Sequence, residues 1–456
     1  MAVHVFVGPS CPEPLALRSH PGFILHGPVK HGDLFSAGLT EGDVVVIVDG
    51  IYHHRLALRH KEILDVLARG ITVLGAASIG ALRAAELDGF GMIGVGRVHH
   101  WYRTGVFEGD DAVSVAHSET GSPAGLNIPL VNLHAAMAAG CDSGVLGRDA
   151  AQHLMARLES EYYPLRTPER VRSLIKQCGE TAFADWYEQR LAAEPDAFDQ
   201  KRADALEAFA LAERLDSPAQ PSPPGVASGA RDWRTEYHRR WRNRFATATP
   251  DLHHRLAYRQ IFDPGFPDVW WDFLNGSSAA GSPAASDGFR GHVRQQLGPV
   301  AVQWLDDPAL RARITAVICP LPDLADPGEA KLLLRGESAE DRARVADWLD
   351  QMRQHLETHP ARSLVQIREA VCTRLLARIW GVAAGSELAV ECGRRGFPSL
   401  RQAAGAFRPF ALGYLSDQTA RTARTTETAP TAPTAPATPV APAAPAARTS
   451  GARGHA

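Results

Sequence analysis

The stretch DVVVIVDG (43–50), RLALRHKEILDVLARG (55–70), ITVLGAAS (71–78) decides the fold. Its first and third parts are near-continuous β-branched and apolar residues, the pattern of strands buried on both faces of a parallel sheet. The part between them has helical spacing and ends on a glycine. Strand, helix and strand at this spacing make a βαβ unit with a right-handed crossover. Working outward, HVFVG (4–8) and GFILHG (22–27) add two short strands, and AVSVAH (112–117) a fifth. The reading is an α/β class chain whose residues 1–145 form a three-layer parallel-sheet domain.

The rest of the chain reads as mostly α-helical. Helical spacing at 150–163, 168–179 and 203–215 predicts a helical extension over 146–215. A Pro/Ser/Gly linker follows at 216–232, then a helical domain of unassigned role at 233–417, with clear helices at 339–358 and 364–382 and a loop at 275–287. Within it, Tyr237, Trp241 and Phe245 fall at i, i+4 and i+8, which predicts a buried aromatic stripe with arginines outside rather than a nucleic-acid patch. Residues 418–456 read as a disordered Pro/Ala/Thr tail, with prolines at 430, 433, 436, 439, 442 and 445 lining one edge of a polyproline II helix.

Of the 456 residues, 45% are hydrophobic and 22% charged, as in ordinary globular proteins, and the net charge of −3 gives no reason to expect nucleic acid or an anionic membrane as partner. No segment approaches the ~20 apolar residues of a membrane helix, and the N-terminus lacks a basic leader, so a cytoplasmic protein is expected. The six cysteines form no C-x-x-C pair, and Asp110 and Asp111 read as a solvated turn, so no metal is expected. There is no Walker A sequence, and the G-x-G of GMIGVGRVHHWYRTG (91–105) is too short for a dinucleotide fingerprint. No cofactor is expected.

In an open parallel sheet, ligands gather beyond the carboxyl ends of the strands. Those ends deliver Ser10 and Cys11, then Asp49, then Ser78. The stretch AASIG (76–80) is similar to the nucleophile elbow G-x-S-x-G, with Ala76 for the first glycine. At this strand–helix junction Ser78 is either a nucleophile beside an oxyanion site or a plain helix cap. A nucleophile needs a base. His60 lies on the apolar stripe Leu56, His60, Ile63, Leu67, as a core histidine or a catalytic one, and Asp49 is the natural orienting carboxylate. Glu62 has no evident partner. Arg83 and Glu86 form either an intrahelical pair or part of an anion site.

The motifs VFVGPS (5–10), VDG (48–50), HKEIL (60–64), GAASIGALRAAEL (75–87), FGMIGVGRV (90–98), DDAV (110–113) and VNL (131–133) jointly resemble the TfuA-like family. The resemblance covers residues 1 to about 140, and KRADA (201–205) extends it toward residue 215. It implies a partner of a YcaO-type cyclodehydratase in ATP-dependent thioamide formation on peptide backbones, as in ribosomal peptide natural product biosynthesis. The implied role is sulfur supply, by a hydrolase that releases sulfide from a thiocarboxylated ubiquitin-like carrier protein, or non-catalytic allosteric stimulation of YcaO. A stand-alone small-molecule hydrolase is a further alternative. In the hydrolase reading Ser78, His60 and Asp49 are catalytic, and Ser10, Lys61, Glu62, Arg83, Glu86 and Arg97 bind the carrier terminus. The chain departs from the family pattern at Cys11, Ala112 and His134.

Overall fold

The computed structural model describes residues 2–11, 22–51, 56–116, 125–215, 235–245, 249–276 and 288–427. The linker at 216–232 and the proline repeat lie outside these residues, as does most of the loop at 275–287. Strands β1 (Val3–Phe6), β2 (Phe23–His26), β3 (Val44–Ile47), β4 (Thr72–Ala76) and β5 (Ile93–Val95) form one parallel sheet in the order β2-β1-β3-β4-β5. Nine helices of the described N-terminal part matter for the site. They are α1 (Asp33–Ser36), α2 (His60–Ala68), α3 (Ile79–Glu86), α4 (Gly96–Arg103), α5 (Leu130–Asp142), α6 (Arg148–Glu159), α7 (Pro168–Gln177), α8 (Thr181–Ala193) and α9 (Gln200–Leu215).

Alternation along β3 explains the three layers. Val45 and Ile47 point to one face, where Ile63, Val66, Ile79 and Ala84 cover them. Val44, Val46 and Val48 point to the other, where Ala205, Ala208, Phe209 and Ala212 of α9 close the core. Both faces are therefore dry, as the unbroken apolar runs required.

The fifth strand is not at 112–117. It is β5, a three-residue strand inside the glycine-rich GMIGVG. Of 112–117, residue 117 lies outside the described part, and Asp110–Ala112 form a 3₁₀ turn. Side chains satisfy the backbone beyond it, leaving little for a sheet edge to bind: Lys201 Nζ donates to the Val113 carbonyl at 2.8 Å, and Asn127 bonds both Ser114 O and Ala116 N.

Helix α2 also begins later than its spacing suggested, at His60, with Glu62 Oε1 accepting from the Arg59 N–H at 3.1 Å. The late start turns His60 out of the apolar stripe and leaves its side chain 45% exposed, while Leu58 enters the core instead.

Beyond residue 235 all described elements are helical, and they bury clusters of their own around Tyr258, Trp348 and Phe407 and around Phe266, Trp270 and Leu333. The last helix, Ala411–Glu427, runs into the segment expected as disordered tail, because its start is nucleated by Phe410 and Ala411 in the core.

Helix α10 (Glu236–Phe245) packs on α1 and α2, but with a different inner face from the expected one. Tyr237 is 66% exposed, and His238, Trp241, Arg242 and Phe245 point inward. Buried Asp65 on α2 dictates this choice: His238 Nε2 lies 3.3 Å and Arg242 Nη1 3.4 Å from its Oδ1. Burial alone would raise the Asp65 carboxyl, but the His238 bond and the charges of Arg242 and Arg69 outweigh it and hold the pKa below the usual value.

Replacing Asp65 with asparagine should therefore lower unfolding stability by about 3 kcal/mol, because Arg242 and the His238 ring lose their charged buried partner. The contribution is present above the unfolded-state pKa of about 3.9 and is lost as the pH falls through the lower folded value. Urea titrations of the parent and Asp65→Asn should thus converge in acid.

Candidate functional site

Two glycines bring the ends of β3 and β4 together. A Cβ on Gly80 would lie 1.7 Å from the Ile47 carbonyl oxygen, and one on Gly75 would lie 2.2 Å from the Gly80 carbonyl oxygen. The first turn of α3 thus sits directly on the sheet backbone, and Gly80 N donates to Val48 O at 3.2 Å. This is why the small residues of GAASIG occur where they do.

The junction itself is strained. Ser78 N donates to Ala76 O at 2.7 Å across Ala77, whose φ of 65° is the only positive value of a described non-glycine residue. That is a γ-turn of the rarer, strained hand. The strain falls one residue before the serine, where a nucleophile elbow would place it on the serine itself. Ser78 then opens α3, yet its side chain makes no capping bond. The residue is 4% exposed, and among the described residues nothing hydrogen-bonds its hydroxyl. The carbonyl of Ser78 starts the helix, while its Oγ makes no capping bond.

Asp49, at the end of β3, is fully engaged. Its Oδ2 accepts from Gly8 N and Ser10 N at 2.9 Å each, and its Oδ1 accepts from Ser10 Oγ at 2.7 Å. Lys201 Nζ on α9 lies 3.9 Å from Oδ1. The carboxylate anchors the loop after β1, and among the described residues it makes no bond to a histidine.

His60 finds its carboxylate elsewhere. Its Nε2 lies 2.7 Å from Glu86 Oε2 and 3.4 Å from Arg83 Nη1, and Arg83 also bonds Glu86. Desolvation pushes the Glu86 carboxyl up, but its bonds to His60 and Arg83 prevail and hold it below the usual range. Glu86 closes α3 and Ser78 opens it, so His60 is tied to the far end of that helix, about 12 Å along its axis. No hydrogen bond joins Ser78, His60 and Asp49 to one another.

The remaining candidates are spread around the domain. Lys61 Nζ donates to Thr235 Oγ1 at 2.9 Å, beside α10. Glu62, buried, accepts from Gly32 N and faces His31 Nδ1, each at 2.7 Å. Arg97 Nη1 donates to Gln200 Oε1 at 3.3 Å, and its guanidinium lies 5.1 Å from the Trp101 ring centre. Asp111 holds the buried Arg166 at 2.7 Å. His134 packs edge-on against Trp101 and Phe107, and burial lowers its pKa, so it stands there as a neutral ring.

Two residues at the strand ends, Lys201 and Asp204, lie in the KRADA motif (201–205) but received no role from it. Asp204 Oδ2 accepts from Val98 N at 2.7 Å and so caps α4 just beyond β5. Burial raises the Asp204 pKa, only partly offset by its bonds to Val98 and Gln200. A sequence signal for both existed. Residues 201, 204, 205, 208, 209 and 212 form one helical stripe, and a lysine and an aspartate on a stripe otherwise of Ala and Phe are charges that need buried partners.

Among the described residues no helix is long and apolar enough to cross a membrane, and no group of His, Cys, Asp and Glu is arranged to hold a metal ion. Residues 49–167 match the model of a family described as TfuA-like protein, so a TfuA-like domain runs from the end of β3 into the start of the helical extension. No curated protein matches the chain.

Proposed function

We propose that the protein is an accessory of YcaO-dependent thioamide formation and that its strand-end crevice releases sulfide from a carrier thiocarboxylate. One observation carries the reading: within a TfuA-like stretch, Ser78 holds a hydroxyl with no partner among the described residues, on a strained turn at a helix N-terminus. The helix end favours an anion there, which suits both a thiocarboxylate and the oxyanion formed from it.

In this reading a new bond forms between Ser78 Oγ and the carrier's terminal carbonyl carbon. The C–S bond breaks, the hydroxyl proton leaves with the sulfur as hydrosulfide, and water then cleaves the ester to free the carrier carboxylate. The leaving sulfur takes the proton, so the step needs no histidine bonded to Ser78. His60, with Arg83 and Glu86, is placed to meet the carrier at the surface. Asp49 and Ser10 hold the loop that walls the crevice.

A second reading has its own support. His60 is committed to Glu86, and among the described residues no base touches Ser78. This favours a non-catalytic binding partner that stimulates YcaO allosterically. The two readings separate in one experiment, with sulfide release from a thiocarboxylated ubiquitin-like carrier measured with and without YcaO. Release by this protein alone supports the hydrolase. No release, together with faster YcaO turnover in its presence, supports the stimulator. Because His60 is exposed and outside the crevice, His60→Ala should change release less than about 10-fold, well short of the 10²–10⁴ expected on removing a general base.

A further inference from the structure

The first turn of α9 bridges the carboxyl ends of β3 and β5. Lys201 reaches Asp49 at the end of β3, and Asp204, one turn later, caps α4 just after β5. Strand β4 lies between β3 and β5, so its end, with Ala77 and Ser78, is straddled by these two anchors. Asn132 fixes the start of the turn, accepting from Lys201 N at 3.3 Å and donating to Asp199 Oδ1 at 3.1 Å.

The lysine is costly where it stands. Its side chain is 3% exposed, and its Nζ donates to the Val113 carbonyl while facing Asp49. Burying an ammonium carries a desolvation penalty that only well-placed partners offset. Anchoring α9 alone does not need a charge, since Ala205, Ala208, Phe209 and Ala212 already bind it to the sheet. What the charge adds is compensation for Asp49, the group on which Ser10 Oγ and the Gly8 and Ser10 N–H groups converge.

We infer that Lys201 is a positioning residue of the Ser78 site, acting through Asp49 to hold the Gly8–Ser10 loop at the end of β1, across β3 from the end of β4. It touches neither the carrier nor the reacting atoms, and the role rests on the sulfide-releasing reading given above. The charged groups around it are Asp49 from β3 and Asp199 and Asp204 on its own side, with Arg97 on α4 held by Gln200. Burial lowers the Lys201 pKa, and Asp49 and Asp199 pull it partly back. Loss of the proton at alkaline pH then releases Asp49 and slackens the loop. Stability moves the other way: a lysine with a depressed folded pKa adds stability as pH climbs through that value toward the unfolded one.

The test uses the full chain as parent, Lys201→Met and Lys201→Arg, with sulfide release from a thiocarboxylated carrier and urea unfolding both followed across the alkaline range. The parent should lose release while gaining stability relative to Lys201→Met. Lys201→Met should release sulfide about 10²-fold more slowly, mainly through kcat. A folded Lys201→Arg should keep its rate to higher pH, because guanidinium stays charged. Parent-like release and pH dependence in Lys201→Met would overturn the role. If the parent releases no sulfide, the functional reading fails by itself, and unfolding of Lys201→Met, Asp49→Asn and the double variant still decides. Non-additive losses uphold the Lys201–Asp49 link, and additive ones overturn it.

Discussion

Replacing Ser78 with alanine should lower sulfide release by about 10³-fold or more while leaving the fold intact, since removing a nucleophile takes away what only the transition state uses. The structural side of this prediction is unusually clean. The Ser78 hydroxyl bonds nothing among the described residues and caps nothing, so its loss should change unfolding stability by less than about 0.5 kcal/mol. The substitution of an ordinary N-cap serine costs about 1 kcal/mol instead. Urea unfolding and release kinetics on the same preparation distinguish these cases. A stability loss near 1 kcal/mol with unchanged release would return Ser78 to the status of a cap.

A second substitution should act on fold and site together. Gly80→Ala puts a methyl 1.7 Å from the Ile47 carbonyl oxygen, against strand backbone that has no side-chain freedom with which to yield. Helix α3 must lift off the sheet, at a cost of about 3 kcal/mol. The lift also moves the turn that carries Ser78, and a displacement of about 1 Å in a reacting group is worth about 10²-fold in rate. Equilibrium unfolding and release assays should both show the loss. Gly89→Ala, where an added Cβ meets nothing within 4 Å, serves as the control and should leave both unchanged.

The sheet was legible because its strands are buried on both sides. DVVVIVDG and ITVLGAAS have no polar face to hide them, and the glycine after the intervening helix marks its end. What was not legible depended on partners remote in sequence. Nothing in GMIGVG announces a strand, since three residues completing a sheet edge carry no period. The inward face of α10 is chosen by Asp65, some 170 residues earlier. The helical repeat around His60 was real, but the helix starts at that residue, and a first-turn position is free of the stripe that the spacing suggested.

The candidate site divides along the same line. Ser78 and Asp49 were singled out because a parallel sheet delivers its chemistry at the strand ends. Grouping them with His60 assumed that nearby motifs share a pocket. The helix between Ser78 and Glu86 separates them, and the group that does face Asp49 comes from α9, far down the chain. Charges on an otherwise apolar helical stripe were the overlooked signal.

In the proposed function this chain itself cleaves a carrier's thiocarboxylate, without YcaO. The most direct test mixes the purified protein, without YcaO, with a thiocarboxylated ubiquitin-like carrier and quantifies hydrosulfide and carrier carboxylate together. Equal amounts of the two are expected, formed over many turnovers by the parent and at least about 10³-fold more slowly by Ser78→Ala. No sulfide above the carrier-only control, or equal rates for parent and Ser78→Ala, would contradict the proposal.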